Sequence, residues 1–154
     1  LLMFDILLYL YDNYLVMENI PDAEALSRKL TAAGFEAEEI DQALLWLTAL
    51  DDLSPETPDI ETDAMRCFAA EEWRRVEADG LAFVTFLENA GLLTPRGREW
   101  VLDRALALED NEVSTEKIKW IALLAVTRLR GAGDALWLED LVRGGEDGWQ
   151  PTLH

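Results

Sequence analysis

Apolar residues recur at helical spacing through most of this chain, and the polar breaks between them predict a run of helices. Phe4, Leu8, Tyr11 and Leu15 form one stripe and Leu7, Leu10, Tyr14 and Met17 another, so the first helix is predicted over Phe4 to Met17 with both sides buried. Pro21 and Asp22 open a second helix carrying Ala25, Leu26, Leu30 and Ala33, with Asp22 as N-cap and Gly34 as a left-handed stop. A third start follows: Glu36 at the N-cap with Glu39 three residues on as a capping box, and Phe35 and Ile40 as a hydrophobic staple. Ile40, Ala43, Leu44, Leu47 and Leu50 make its apolar face, with Trp46 beside it. Two helices joined by a short turn containing Gly read as a helix-turn-helix over residues 22 to 50.

The next segment, Asp51 to Asp63, holds Pro55, Pro58 and a run of carboxylates, and is predicted to be an exposed acidic loop. Met65 to Phe68 reads as a short strand. A helix, a helix-turn-helix, a loop and a strand in this order is the element order of a winged-helix domain; the alternative is a helical hairpin with a long loop. Further on, Trp73, Val76, Gly80, Phe83 and Leu87 share a stripe that Gly80 can kink or split. Gly91 ends that helix. Thr94 caps another with Pro95 at its first position and Trp100, Val101, Ala105 and Leu108 as its face. Ser114 starts a helix whose centre, Trp120 to Val126, is apolar on all sides and belongs in the middle of a C-terminal core. Gly131 and Gly133 end it, and Ala135 to Val142 forms the last helix. The expected architecture is therefore mainly α: a winged-helix-like subdomain over 3–68, a helical-bundle subdomain over 69–143 sharing the core, and a frayed tail over 144–154.

Charge changes the reading of the helix-turn-helix. The chain carries a net charge of -18, and its half-hydrophobic composition excludes global disorder. Residues 1–93 hold 5 basic against 20 acidic side chains, a net of -15. In a DNA reader the start of the second helix lies in the major groove; here it carries Glu36, Glu38, Glu39 and Asp41, which repel phosphates. The helix-turn-helix is therefore expected not to bind DNA directly, and those four residues are candidates for docking a protein with a basic surface. Residues 94–130 reverse the balance, with seven basic against six acidic side chains, and no carboxylate falls between Lys117 and Arg130. Lys117, Lys119, Arg128 and Arg130 are thus either a cationic patch for an acidic partner or nucleic acid, or local charges at the two ends of one helix, with the arginines complementing its dipole and pairing with acidic neighbours.

Enzymatic chemistry is tested by elimination. His154 is the only histidine and Cys67 the only cysteine. Ser-His-Asp and Cys-His nucleophiles lack a base, and zinc sites built on His or Cys lack ligands. No phosphate-cradling glycine motif occurs. No cofactor and no enzyme activity is expected. The 51–63 loop leaves a carboxylate-only Mg or Ca site open, but it lacks the EF-hand spacing and reads most simply as a solvated run. No apolar run approaches the roughly 20 residues of a membrane helix, no signal-peptide pattern is present, and the lone cysteine fits a reducing compartment, so a cytoplasmic protein is expected.

The segments MFDILLYLYDNYL, AGFEAEEIDQALLWL, MRCF, FLENAGLL, REWVLDRALAL and KIKWIALLAV, in this order from Met3 onward, resemble the Smg family of bacterial proteins. The resemblance implies a small cytoplasmic protein, offers no active-site residues to carry over, and brings a weak link to DNA processing through the neighbourhood of the family's genes. It also implies a better helix cap at the position of Glu36 and a Thr-Pro helix start where this chain has Ala69 and Ala70. The sequence reading is a non-enzymatic interaction or regulatory protein; the alternative is a nucleic-acid binder using residues 117–130.

Overall fold

A computed structural model describes residues 3–15, 22–53, 68–108 and 110–143. The chain divides into two compact units, Leu1–Asp52 and Leu53–His154. The boundary expected at 68/69 closes the stretch 54–67, which with the tail 144–154 lies outside the described residues.

In the first unit, α1 (Met3–Leu10) passes into a π-helical turn over Tyr11–Leu15. Phe4, Ile6, Leu7, Leu10 and Tyr11 are buried, whereas Leu8 and Tyr14, expected to be buried as well, are half-buried. α2 (Ala23–Ala32) starts where Asp22 accepts the amide of Ala25 at 2.8 Å. It stops in a paired-hydrogen-bond turn: Phe35 N–H donates to Leu30 C=O at 3.2 Å and Gly34 N–H to Thr31 C=O at 3.0 Å, with Gly34 at φ 101°. Only glycine takes that φ without strain.

α3 (Ala37–Leu47) follows, and it corrects the capping box. Glu36 occupies the N-cap with extended φ and ψ, but its side chain makes no cap hydrogen bond. A glutamate is one methylene longer than the preferred cap residues and overshoots the amides of the first turn. Phe35, expected in a staple with Ile40, stands edge-on to Tyr9 with ring centroids 5.7 Å apart. The buried stripe of α3 is Ile40, Ala43 and Trp46, packed on α1, so Trp46 is core and Leu44 only partly covered.

α3 leaves through a 3-10 turn over Thr48–Asp52, and no β-strand occurs among the described residues. Among its described residues the N-terminal unit is therefore three helices and two helical turns, without the strands that a winged helix requires. Of the strand expected at Met65–Phe68 only Phe68 is described, and it is in no strand.

The second unit holds α4 (Ala70–Arg75), α5 (Ala78–Asn89), α6 (Pro95–Leu106), α7 (Thr115–Arg130) and α8 (Ala132–Arg143). Thr94 caps α6 through the Gly97 amide at 3.0 Å, and Ser114 caps α7 through the Lys117 amide at 3.2 Å. α7 packs on α5, α6 and α8, and of its apolar centre, Trp120 to Val126, all but the half-buried Trp120 are buried. Gly131, at φ 87°, ends α7, and α8 begins at once, taking Gly133 inside it.

The helix expected to run from Trp73 to Leu87 is divided, but at Val76 rather than Gly80. Val76 is extended (φ -120°, ψ 131°) and forms a parallel bridge with Val113. Val113 N–H donates to Arg75 C=O at 2.6 Å and Glu77 N–H to Val113 C=O at 3.1 Å. Gly80 instead continues α5 and lets α7 approach. Trp73, placed on the core stripe by periodicity, is 57% exposed and meets Phe68 edge-on at 5.8 Å.

Candidate functional site

The acidic residues of the helix-turn-helix do not share one face. With Ile40, Ala43 and Trp46 turned to α1, the opposite side of α3 at 100° per residue carries Glu38, Asp41 and Leu45. Glu36, Glu38 and Asp41 are exposed. Glu39 falls within the buried arc, is half-buried, and its Oε2 finds no hydrogen-bond partner. Leu45 is 73% exposed. It lies roughly 10 Å along the helix from Glu38 and one turn from Asp41, and Asp52 is exposed on the 3-10 turn that follows. The outward face is thus a leucine bordered by carboxylates. Part of this acidity has a local cause, because Glu38 and Glu39 in the first turn favour the positive end of the helix dipole. Glu36, Glu38 and Asp41 make no ion pair among the described residues.

The four cations of α7 are distributed rather than gathered. Lys117 and Lys119 are about 200° apart around the helix, and the arginines lie roughly 16 Å further along its axis. Lys117 Nζ pairs with Asp110 Oδ2 at 2.5 Å, an acidic partner where the sequence suggested one for the arginines. Arg128 Nε donates to Leu53 C=O at 3.0 Å and Arg130 to Gly91 C=O at 3.3 Å, so both arginines also serve backbone carbonyls. Lys119 is buried, with its ammonium 5.8 Å from the centre of the Phe83 ring. Burial holds its pKa below 10.5, against the attraction of Glu116 and Asp79.

Periodicity could not reveal the densest polar construction, because its partners are far apart in sequence. Arg75 spreads its guanidinium over three carbonyls, those of Leu106 at 3.0 Å, Leu108 at 2.9 Å and Asp110 at 3.0 Å. Two residues on, Glu77 Oε2 accepts the Thr115 amide at 2.9 Å and its hydroxyl at 2.7 Å. Together they fasten the connection between α6 and α7 to the α4–α5 junction. The amide and then the hydroxyl of Thr115 hold the Glu77 carboxyl below its ordinary 4.5. The one sequence signal was a glutamate standing where α5 needs an N-cap.

Among the described residues no group of three or more His, Cys, Asp or Glu side chains is placed to hold a metal ion, and no helix is long and apolar enough to cross a membrane. Cys67, His154 and the 54–63 part of the acidic loop lie outside the described residues.

Fold and site together define an acidic, mainly α-helical protein with exposed carboxylates beside an exposed leucine on one helix face. The chain belongs to the family described as "Protein of unknown function (DUF494)", whose model matches residues 3–150. It is 41% identical over 153 residues to the "Protein Smg homolog" of Methylobacillus flagellatus, covering 99% of this chain and 100% of that one. It is 39% identical over 153 residues to the homologue of the same name from Aromatoleum aromaticum, covering 98% and 99%. The Nitrosomonas europaea homologue is 43% identical over 127 residues, 79% of this chain and 82% of that one. No solved structure matches the chain.

Proposed function

We propose that the protein is a non-enzymatic interaction module that docks a partner with a basic surface through the outward face of α3. The observation that carries this reading is the placement of Leu45, 73% exposed, on the same side of α3 as Glu38 and Asp41. A lone surface leucine is ordinary. A leucine bordered by carboxylates offers an apolar contact with a polar rim, the general anatomy of a protein interface. The rim charge steers a cationic partner and repels nucleic acid. A link to DNA processing, which the family resemblance implies, would make that partner a DNA-binding protein whose basic surface the acidic face occupies. The nucleic-acid alternative draws no support from α7, because Lys119 is buried and Lys117, Arg128 and Arg130 are engaged within their own unit.

The test compares proteins retained from the native host by the immobilised chain and by a Glu38→Lys/Asp41→Lys/Leu45→Ser variant. The expected result is a partner held at ~0.1 M salt, where the Debye length is about 10 Å, and released toward ~1 M, where it is about 3 Å. The variant should lose that partner while keeping its helical circular dichroism. A partner held equally by both proteins at both salt concentrations would overturn the reading.

A further inference from the structure

The connection between α6 and α7 is fastened by three ionisable side chains from different places in the chain. Arg75 closes α4 over the carbonyls of Leu106, Leu108 and Asp110; Glu77 takes the first turn of α7; Lys117 reaches back to Asp110. Backbone pairing adds only the bridge between Val76 and Val113. We propose that Glu77 and Thr115 form an acid-sensitive latch, and that protonation of Glu77 frees the Val113–Thr115 segment while the core of α7 remains folded.

The geometry separates the latch from the helices it joins. Thr115 opens α7, where its amide has no acceptor in the helix. Ser114 serves the amide of Lys117, and the Thr115 amide goes to Glu77 across the unit. Both donors converge on one carboxylate oxygen, so a single proton removes the charge that strengthens both bonds. The Ile121 to Val126 stretch of α7 is buried and apolar, and no carboxylate enters it. Val113 is fully buried, so release draws an apolar side chain from the core and stays rare while Glu77 is ionised.

Thr115 holds the Glu77 carboxyl below 4.5, which sets the direction: the latch is closed at neutral pH and is lost as pH falls through that lowered value. The charged groups within three residues of Glu77, Val113 or Thr115 are Arg74 and Arg75 on α4, Asp79 on α5, Asp110 and Glu112 in the connection, and Glu116 and Lys117 on α7, and Arg75 is also 3.7 Å from Glu71. Of these, Asp110 is also part of the fastening, through its ion pair with Lys117.

Hydrogen exchange on the full chain, corrected for intrinsic rates and followed from neutral to acidic pH, reads the latch directly. The Val113 and Thr115 amides should lose their protection at a pH where Ile121 to Val126 remain protected. Glu77→Gln should show the weaker protection at neutral pH and no acid step, and Asp110→Asn should keep the step. Loss of protection by all these amides together, or an unchanged acid step in Glu77→Gln, would overturn the proposal.

Discussion

Gly80 of α5 lies directly against Ile118 of α7: a Cβ built on the glycine would stand 3.0 Å from Ile118 Cγ1 and 3.3 Å from Ile118 Cβ. The two helices meet here backbone against side chain, which explains a buried glycine within a helix. Its conformational freedom is not what the position uses.

Replacing Gly80 with alanine therefore sets two effects against each other. Helix propensity gains up to about 1 kcal/mol, less near a helix start, while overpacking costs about 1–3 kcal/mol. Ile118 is fully buried and stiff at χ1, and its Cβ cannot swing aside. The packing effect wins. Gly80→Ala should lower stability by about 1 kcal/mol, read as a smaller urea midpoint at unchanged slope, and Gly80→Val should lower it further.

Arg75 is expected to matter more than any exposed charge. Its removal leaves the carbonyls of Leu106, Leu108 and Asp110 without the donors they now have. Hydrogen bonds to a charged group contribute about 1.5–3 kcal/mol each but do not add, and water reaches part of the site, so Arg75→Met should cost about 3 kcal/mol. Arg75→Lys should recover a minor share, because an ammonium cannot reproduce the planar fork. Equal stability of the Lys variant and the native chain in urea unfolding would contradict this account.

Lys119 supplies a pH dependence of the same sense as that of Glu77, since folding lowers both pKa values, but at neutral pH it is a penalty where Glu77 is a stabilisation. Its folded-state pKa lies below 10.5 because burial disfavours the ammonium. Between the lowered value and 10.5 the unfolded chain holds more protons, so stability rises with pH there; below the lowered value the penalty is present in full. Lys119→Met fills similar volume without a charge. It should be more stable than the native chain at neutral pH by about 1 kcal/mol, with the difference shrinking as pH approaches 10.5. Urea unfolding of both chains at several alkaline pH values measures it, and a constant difference would show that Lys119 does not titrate with folding.

Features set within three or four residues were legible in the sequence, and those set by distant partners were not. Asp22, Thr94 and Ser114 cap the helices they precede because a cap spans three residues. The apolar centre of α7 announced its burial because no exposed face was available to it. The break at Val76 left no local trace: the weak point that the stripe from Trp73 to Leu87 shows in sequence is Gly80, and what interrupts it is the pairing of Val76 with Val113, 37 positions away. The partner of Arg128 at Leu53 is similarly remote, 75 positions away, so a cationic run in the sequence became separate tethers in the fold. Of the four carboxylates that the sequence singles out, Glu36, Glu38 and Asp41 are exposed and Glu39 is half-buried, whereas composition gives no reason to single out Leu45 among many leucines.

Glu36 separates the local from the functional cause of acidity on α3. Its backbone already has N-cap geometry, φ -79° and ψ 147°, while its side chain caps nothing. Glu36→Ser should therefore stabilise the protein by about 0.5–1 kcal/mol, the worth of a cap less the small dipole contribution of the lost charge. If the face docks a cationic partner, the same substitution should weaken retention of that partner, most clearly at low salt. Ala69→Thr is the control: Glu72 already accepts the Ala69 amide at 2.7 Å, and alanine offers no acceptor in return, so threonine completes the capping box at the start of α4. It should stabilise by a similar amount and leave binding unchanged. Thermal unfolding and partner retention measured on both variants distinguish a face kept acidic for binding from one that is merely tolerated: in the second case both substitutions stabilise and neither affects retention.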